Sequence, residues 1–306
     1  MWRKDVSFKN WFVIAGLIGL VGAAVFAAEP PAPPPGWTDG YVIANGIRIH
    51  YWRTGGEGKP AIVMAHGITD YGMNYASLAE KFEADYDIIM YDARGHGLSD
   101  KPENPYDVDT HAEDLAGLVK ALELEKPVLM GHSMGGGTVA VAASKYPDLP
   151  GGVILEDPAG LLVRPDAPPE MIEQMKEKWR EGLMADKALG KEGLIELART
   201  ERHPGWPEVE YERWAEAKML VSENVLNIMG GSGFGDMKEV FPKITAPTLI
   251  LKADADEENR KQHQEIAAFL PNGRLVHIDG AGHLIRLDKP AETEREMRAF
   301  LSGLKR

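Results

Sequence analysis

The residues whose arrangement carries the most chemistry are Gly131-His132-Ser133-Met134-Gly135, directly after the apolar run Pro127-Val128-Leu129-Met130. A strand that ends in G-x-S-x-G and runs into a helix holds its serine at the tip of a sharp turn, hydroxyl exposed. Glycine on either side leaves room for backbone that a Cβ would block. The segment that follows, Gly135 to Tyr146, is built largely of Gly, Ala, Val and Thr, so it can pack close to a sheet. Its N-terminus directs positive partial charge at the serine, where an oxyanion would form. Ser133 is therefore the candidate nucleophile. Its hydroxyl attacks only when a base takes the proton, and that base, a histidine, needs a carboxylate to orient it. The chain has nine histidines to choose from and no cysteine, so thiol chemistry, disulfides and cysteine metal sites are excluded.

The elements that must position these groups follow from the pattern. Tyr41-Val42-Ile43-Ala44 and Ile47 to Trp52 flank Asn45-Gly46, which predicts a hairpin with a type I′ turn. Strands are expected at Ala61–Met64, Asp87–Tyr91, Gly152–Leu155, Thr248–Leu251 and Leu275–Ile278, besides the one before Ser133. Helices are expected at Tyr75–Phe82, Thr110–Leu122, Gly135–Tyr146, Asn259–Leu270 and Ala291–Leu304. This alternation implies an α/β fold with a mostly parallel sheet, helices on both faces and an antiparallel edge. Residues 161–241 break it with a helical stretch rich in Met and Trp, closed by Gly230 to Gly235. That block reads as an insertion over the carboxyl ends of the strands, where open α/β sheets bind ligands.

From about Gly40 to Leu304 the chain resembles the α/β-hydrolase superfamily, in its capped serine esterase or lipase-like branch. The matching features, in order, are His66-Gly67, Asp92-Ala93-Arg94-Gly95-His96-Gly97, the Ser133 elbow, Pro247 to Asp256, and Gly280-Ala281-Gly282-His283. The resemblance implies a core at 40–160 and 242–306 with a helical cap at 161–241. It also implies the chain order serine, acid, histidine. His263, His277 and His283 follow the next acidic strand end. His277 reads as a packed strand residue and His263 as a solvated surface residue, which leaves His283 as the base. Counting from Pro247, the acid matches Asp256, with Asp254 two residues earlier and Asp157, after the sixth strand, as alternatives. The oxyanion hole matches the backbone N–H groups of Ile68 and Met134. His66, Asp92, Arg94 and His96 are expected to shape loops.

The function so implied is hydrolysis of a carboxylic ester, or a related acyl bond, through an acyl-enzyme on Ser133, with no cofactor and no metal. Lactonase, carbon–carbon bond hydrolase and cofactor-free haloperoxidase or perhydrolase activities use the same residues, and a ligand-binding protein on this scaffold is the non-enzymatic alternative. The spacing Asp254-x-Asp256-x-Glu258 imitates a calcium loop but has Asn259 where glycine is required. Gly230 to Gly235 imitates a phosphate loop without its Lys-Ser/Thr ending. Met171, Met175 and Trp179 share one helical face, and most such cap residues are expected in packing, with some turned to an apolar, adaptable pocket for a partly hydrophobic small molecule.

A net charge of −13 argues against a nucleic-acid partner. At the N-terminus, Arg3, Lys4 and Lys9 precede an uncharged, almost wholly apolar run from Trp11 to Ala28. Residues 1–28 thus read as a signal peptide or an uncleaved membrane anchor, and 29–39 as a Pro-rich linker. Either reading exports the enzyme domain, to the periplasm, the medium or the outer face of the membrane.

Overall fold

The computed structural model describes residues 32–56, 58–161, 168–229 and 233–304. The expected leader, residues 29–31 of the linker and residues 230–232 of the Gly-rich loop lie outside them. Among the described residues no helix is long and apolar enough to cross a membrane.

A hairpin opens the fold: β1 (Thr38–Ala44) and β2 (Ile47–Arg53), antiparallel, with Ala44 opposite Ile47. Asn45 and Gly46 take φ of 46° and 79°, the double left-handed step that a type I′ turn requires. Then come β3 (Ala61–Ala65), α1 (Ala76–Phe82), β4 (Asp87–Tyr91), α2 (Val108–Ala121), β5 (Val128–His132), α3 (Met134–Lys145) and β6 (Gly152–Glu156). Helical segments α4 (Pro169–Ala188), α5 (Gly190–Leu197), α6 (Glu208–Leu220) and α7 (Met237–Val240) follow. The chain ends with β7 (Thr248–Lys252), α8 (Glu257–Ala267), β8 (Gly273–His277), α9 (Ile285–Asp288) and α10 (Pro290–Gly303).

The eight strands form one sheet in the order β1-β2-β4-β3-β5-β6-β7-β8, and all pairings from β4 onward to β8 are parallel. Every residue of β4, β5 and β6 is buried, as expected of central parallel strands covered on both faces. The period-2 alternation of strand side chains splits the interior into two cores. Val63, Ile89, Leu129, Val153 and Ile250 pack with Leu115 and Leu118 of α2 and with α3. Ile62, Ile88, Met130, Ile154 and Leu249 pack with Leu78 and Phe82 of α1 and Met297 and Leu301 of α10. The sheet is thereby held between helix layers, and its carboxyl edge is left to loops.

The block between β6 and β7 has a small core of its own, Leu194, Ala198, Tyr211, Trp214 and Ala215. Two expectations are corrected. Met171, Met175 and Trp179 do not enter a core: they are exposed along one stripe of α4, because the buried face of that helix is narrow and includes Leu183. His263 is not solvated. It is 3% exposed, and its Nδ1 lies 3.1 Å from Nε2 of His277, because α8 packs that position against β8.

Candidate active site at the carboxyl edge of the sheet

Ser133 follows the last residue of β5 and stands at the N-cap of α3 with φ 50° and ψ −113°, a backbone that non-glycine residues rarely adopt. A Cβ on Gly131 would collide with the Gly135 carbonyl, and one on Gly135 with the Ala65 carbonyl, so both glycines are sterically required. The strained turn is held from several sides, as such a conformation must be. The Ser133 N–H donates to Glu156 O at 3.0 Å, and its carbonyl accepts from Gly137 N at 3.0 Å and Ala159 N at 2.9 Å.

His283 lies on the loop after β8. That loop is pinned: Gly280 N donates to Asp254 Oδ2 and Gly282 N to Asp288 Oδ2, both at 2.8 Å. The carbonyl of His283 accepts from Nε2 of His132, the neighbour of Ser133, at 2.9 Å, and the two rings lie 4.6 Å apart. His283 is thus fastened to the strand end that carries Ser133.

The carboxylate on His283 is Asp157, not Asp256. Nδ1 of His283 is 2.5 Å from Asp157 Oδ2. With Nδ1 donating there, a neutral ring carries its lone pair on Nε2, the atom a general base uses. Asp157 directly follows β6 at φ 39°, with its N–H bonded to Leu251 O at 2.8 Å. Its other oxygen pairs with the Lys252 ammonium and receives the Ala253 N–H at 3.4 Å. Burial would raise the Asp157 carboxyl, but the His283 hydrogen bond and the Lys252 charge outweigh it and hold the group at about 2. Asp256 instead caps α8, taking Asn259 N at 2.9 Å and Asn259 Nδ2 at 3.0 Å. Asp254 is tied to Arg260 at 2.5 Å and to the His283 loop backbone. The reason is register. Glu156 pairs with Leu251, so the residue after β6 meets the end of β7, whereas Asp256 lies four residues beyond Lys252 and is used by the helix.

Of the two expected oxyanion donors, Met134 is the first residue of α3 and Ile68 is on the loop after β3. The β3 loop is built by His66, which is buried. Its Nδ1 donates to Gly67 O at 2.8 Å and its Nε2 accepts from Ala93 N at 3.0 Å, a neutral tautomer consistent with burial lowering its basicity. Asp92 takes Gly72 N at 2.7 Å, Leu98 N at 2.9 Å and His50 Nδ1 at 2.9 Å. Arg94 pairs with Asp114 at 2.6 Å, and His96 Nδ1 lies 2.8 Å from Arg94 O. These residues build loops.

Lys218 was not singled out from the sequence. From α6 its ammonium donates to Thr69 O at 3.1 Å and Thr69 Oγ1 at 2.5 Å, beside Ile68, with Asp70 at 3.9 Å. Thr69 is left-handed, at φ 63°. The signal was a lysine one turn beyond Trp214, on the buried face of the helix. Burial lowers the basicity of Lys218, and Asp70 opposes that effect.

A cleft of about 530 Å³ opens beside His283, walled by Arg202, His203 and Trp206 of the inserted block and by Leu284 and Leu287. His203 and Trp206 stack at 3.8 Å. A larger hollow of about 980 Å³ lies among the opposite strand ends, at Ala61, Asp87 and Val128. Ligands of open α/β sheets bind at the carboxyl ends, so the smaller cleft is the relevant one. Among the described residues, no three His, Cys, Asp or Glu side chains are grouped as metal ligands.

A sequence model of the alpha/beta hydrolase fold matches residues 60–290. The chain belongs to the α/β-hydrolase family. It is 26% identical over 254 residues to the 2-(acetamidomethylene)succinate hydrolase of Mesorhizobium japonicum, covering 80% of this chain and 88% of that protein. It is 27% identical to the non-heme chloroperoxidase CPO-A1 of Kitasatospora aureofaciens, covering 85% of this chain and 97% of that one. The crystal structure of E-2-(acetamidomethylene)succinate hydrolase superposes with a TM-score of 0.72 at 24% identity, covering 87% of this chain and all of that one. The matches support a hydrolase of this fold.

Proposed function

We propose that the protein is a serine hydrolase that cleaves a carboxylic ester, or a related acyl bond, of a small and partly hydrophobic substrate. The carrying observation is the 2.5 Å contact of His283 with Asp157, on a loop fastened to the residue next to Ser133. Ser133 attacks the carbonyl carbon while His283 takes its proton. Asp157 orients the ring and stabilises the imidazolium. The N–H groups of Ile68 and Met134 receive the charge that forms on the carbonyl oxygen. His283 then returns the proton to the leaving group, and water releases the acyl-enzyme by the same steps in reverse roles. Trp206, Leu284 and Leu287 give the cleft an apolar patch for a hydrophobic substrate portion, beside the charged Arg202, Asp288 and Lys289.

The test is fluorophosphonate labelling with peptide mapping, alongside a chain-length series of p-nitrophenyl esters. Label is expected on Ser133, with multiple turnovers. Ser133→Ala should lose label and lower kcat by about 10⁴-fold or more with an unchanged circular dichroism spectrum. Retained activity in that variant sinks the mechanism. The similarity to a non-heme chloroperoxidase favours perhydrolysis as a second reading, which formation of peracetic acid from acetate and peroxide would reveal. Export or anchoring by residues 1–28 is part of the proposal, and cell fractionation of the full chain tests it.

A further inference from the structure

Asp157 is held between two partners, His283 and Lys252, and only His283 belongs to the reaction as proposed. Lys252, the last residue of β7, reaches across the β6–β7 pair, and its side chain is 14% exposed. It occupies one oxygen of Asp157 while His283 occupies the other. A carboxylate engaged at both oxygens by groups from two different strand ends cannot rotate about its Cβ–Cγ bond without breaking a charge-assisted hydrogen bond. We infer that Lys252 is a positioning residue for the acyl-transfer site, fixing the plane of Asp157 against His283 and balancing its charge.

This rests on the hydrolase reading given above. The groups around the pair define its electrostatics. From β8 comes His277, the register partner of Lys252, and from α8 come His263 and, at its N-cap, Asp256. From the loop after β8 comes His283. Asp254 and Arg260 pair with each other farther out. Burial lowers the basicity of both His263 and His277, with the Lys252 charge adding to it, so the imidazole pair is neutral near pH 7. Lys252 is then the cation that pairs with Asp157. An anion with no such partner would hold a proton on the His283–Asp157 pair more tightly. The cation therefore extends the base form of the pair to lower pH. It also explains how the acid can sit after β6. A bare carboxylate there would be buried beside only one partner, a costly arrangement.

The test is the pH profile of kcat and KM on p-nitrophenyl acetate, from about pH 5 to about pH 9, for wild type, Lys252→Met, Lys252→Gln and Lys252→Arg. In the Met and Gln variants the acidic limb of kcat should move up by about one pH unit, with kcat about tenfold lower at the acid end and KM within about twofold. Lys252→Arg, which keeps the cation, should restore most of the wild-type limb. Gln keeps a hydrogen-bond donor for Asp157 and serves if Met does not fold. A wild-type limb in any folded uncharged variant overturns the inference, as does an equal loss at every pH, which marks a purely structural pair. If neither uncharged variant folds, an arginine variant with a displaced limb overturns it and one with a wild-type limb supports it. Absence of Ser133 labelling in wild type would instead refute the hydrolase reading itself.

Discussion

Positions 157 and 256 carry the same side chain and do different work. Asp157 is buried on His283 and Lys252, and Asp256 is exposed and closes the first turn of α8. Asp157→Asn should cut kcat by about 10³–10⁴-fold, because the amide cannot hold the required imidazole tautomer. Asp256→Ala should leave kcat within about twofold and cost about 1 kcal/mol of stability, the usual loss of an N-cap. Steady-state kinetics and urea unfolding of the two variants decide the assignment. The ionisation of Asp157 also has a pH signature. Its folded value, about 2, lies below its ordinary value of 3.8. The group therefore contributes stability that is fully present above the ordinary value and is lost as pH falls through about 2. The stability gap between wild type and Asp157→Asn should persist from neutrality to about pH 4 and then close below it. A gap that stays open under strong acid would refute that ionisation.

At the scale of elements, the β5–α3 turn is one rigid unit and the β3 loop is another. The first rests on glycines at 131 and 135, the latter against the Ala65 carbonyl of β3, and on backbone bonds to Glu156 and Ala159. The second depends on a distant partner, because Lys218 of α6 holds Thr69 next to Ile68. Lys218→Met should loosen that loop while sparing the turn. We expect kcat to fall by about tenfold, less than the roughly 10²–10³-fold seen when an oxyanion donor is deleted outright. The rate of fluorophosphonate labelling should fall in parallel, and a labelling rate equal to wild type would show that the tie is unimportant to the loop. Helix α4 behaves otherwise. Its Met171, Met175 and Trp179 are spaced like a buried stripe yet stand exposed, so the periodicity located the helix and not its covered face.

At the scale of the whole described fold, a buried ion pair joins two segments of the carboxyl edge. Arg286, the second residue of α9, meets Glu156 at 3.2 Å with side chains 1% and 0% exposed, and stacks 4.6 Å over Tyr75. It ties the end of β6, one residue from Asp157, to the segment just after His283. Arg286→Met leaves the buried carboxylate without its cation, held only by the backbone N–H of residue 286 at 2.9 Å, and should cost about 3–5 kcal/mol, read from urea unfolding. The double variant with Glu156→Gln should recover part of that loss. No recovery would mean that the cation stabilises through Tyr75 rather than through the pair. The site and the stability of the sheet edge are therefore coupled through adjacent residues.

The sequence by itself determined the α/β class, the hairpin, the strands and the turn that bears Ser133. All of these depend on contacts within about one or two elements, and such contacts leave a periodicity or a glycine pattern. His283 was legible because a glycine-rich loop closes the last strand. The carboxylate was not, because three aspartates near two strand ends are equivalent until the strands are in register. Only the pairing of β6 with β7 sets Asp157 against both His283 and Lys252. Lys218, Arg286 and the burial of His263 were hidden for the same reason: each depends on a partner far away in the chain, and the composition around it looks like solvated surface. Local order is written in neighbouring residues, whereas the choice among equivalent charges is made by the packing that brings remote ends together.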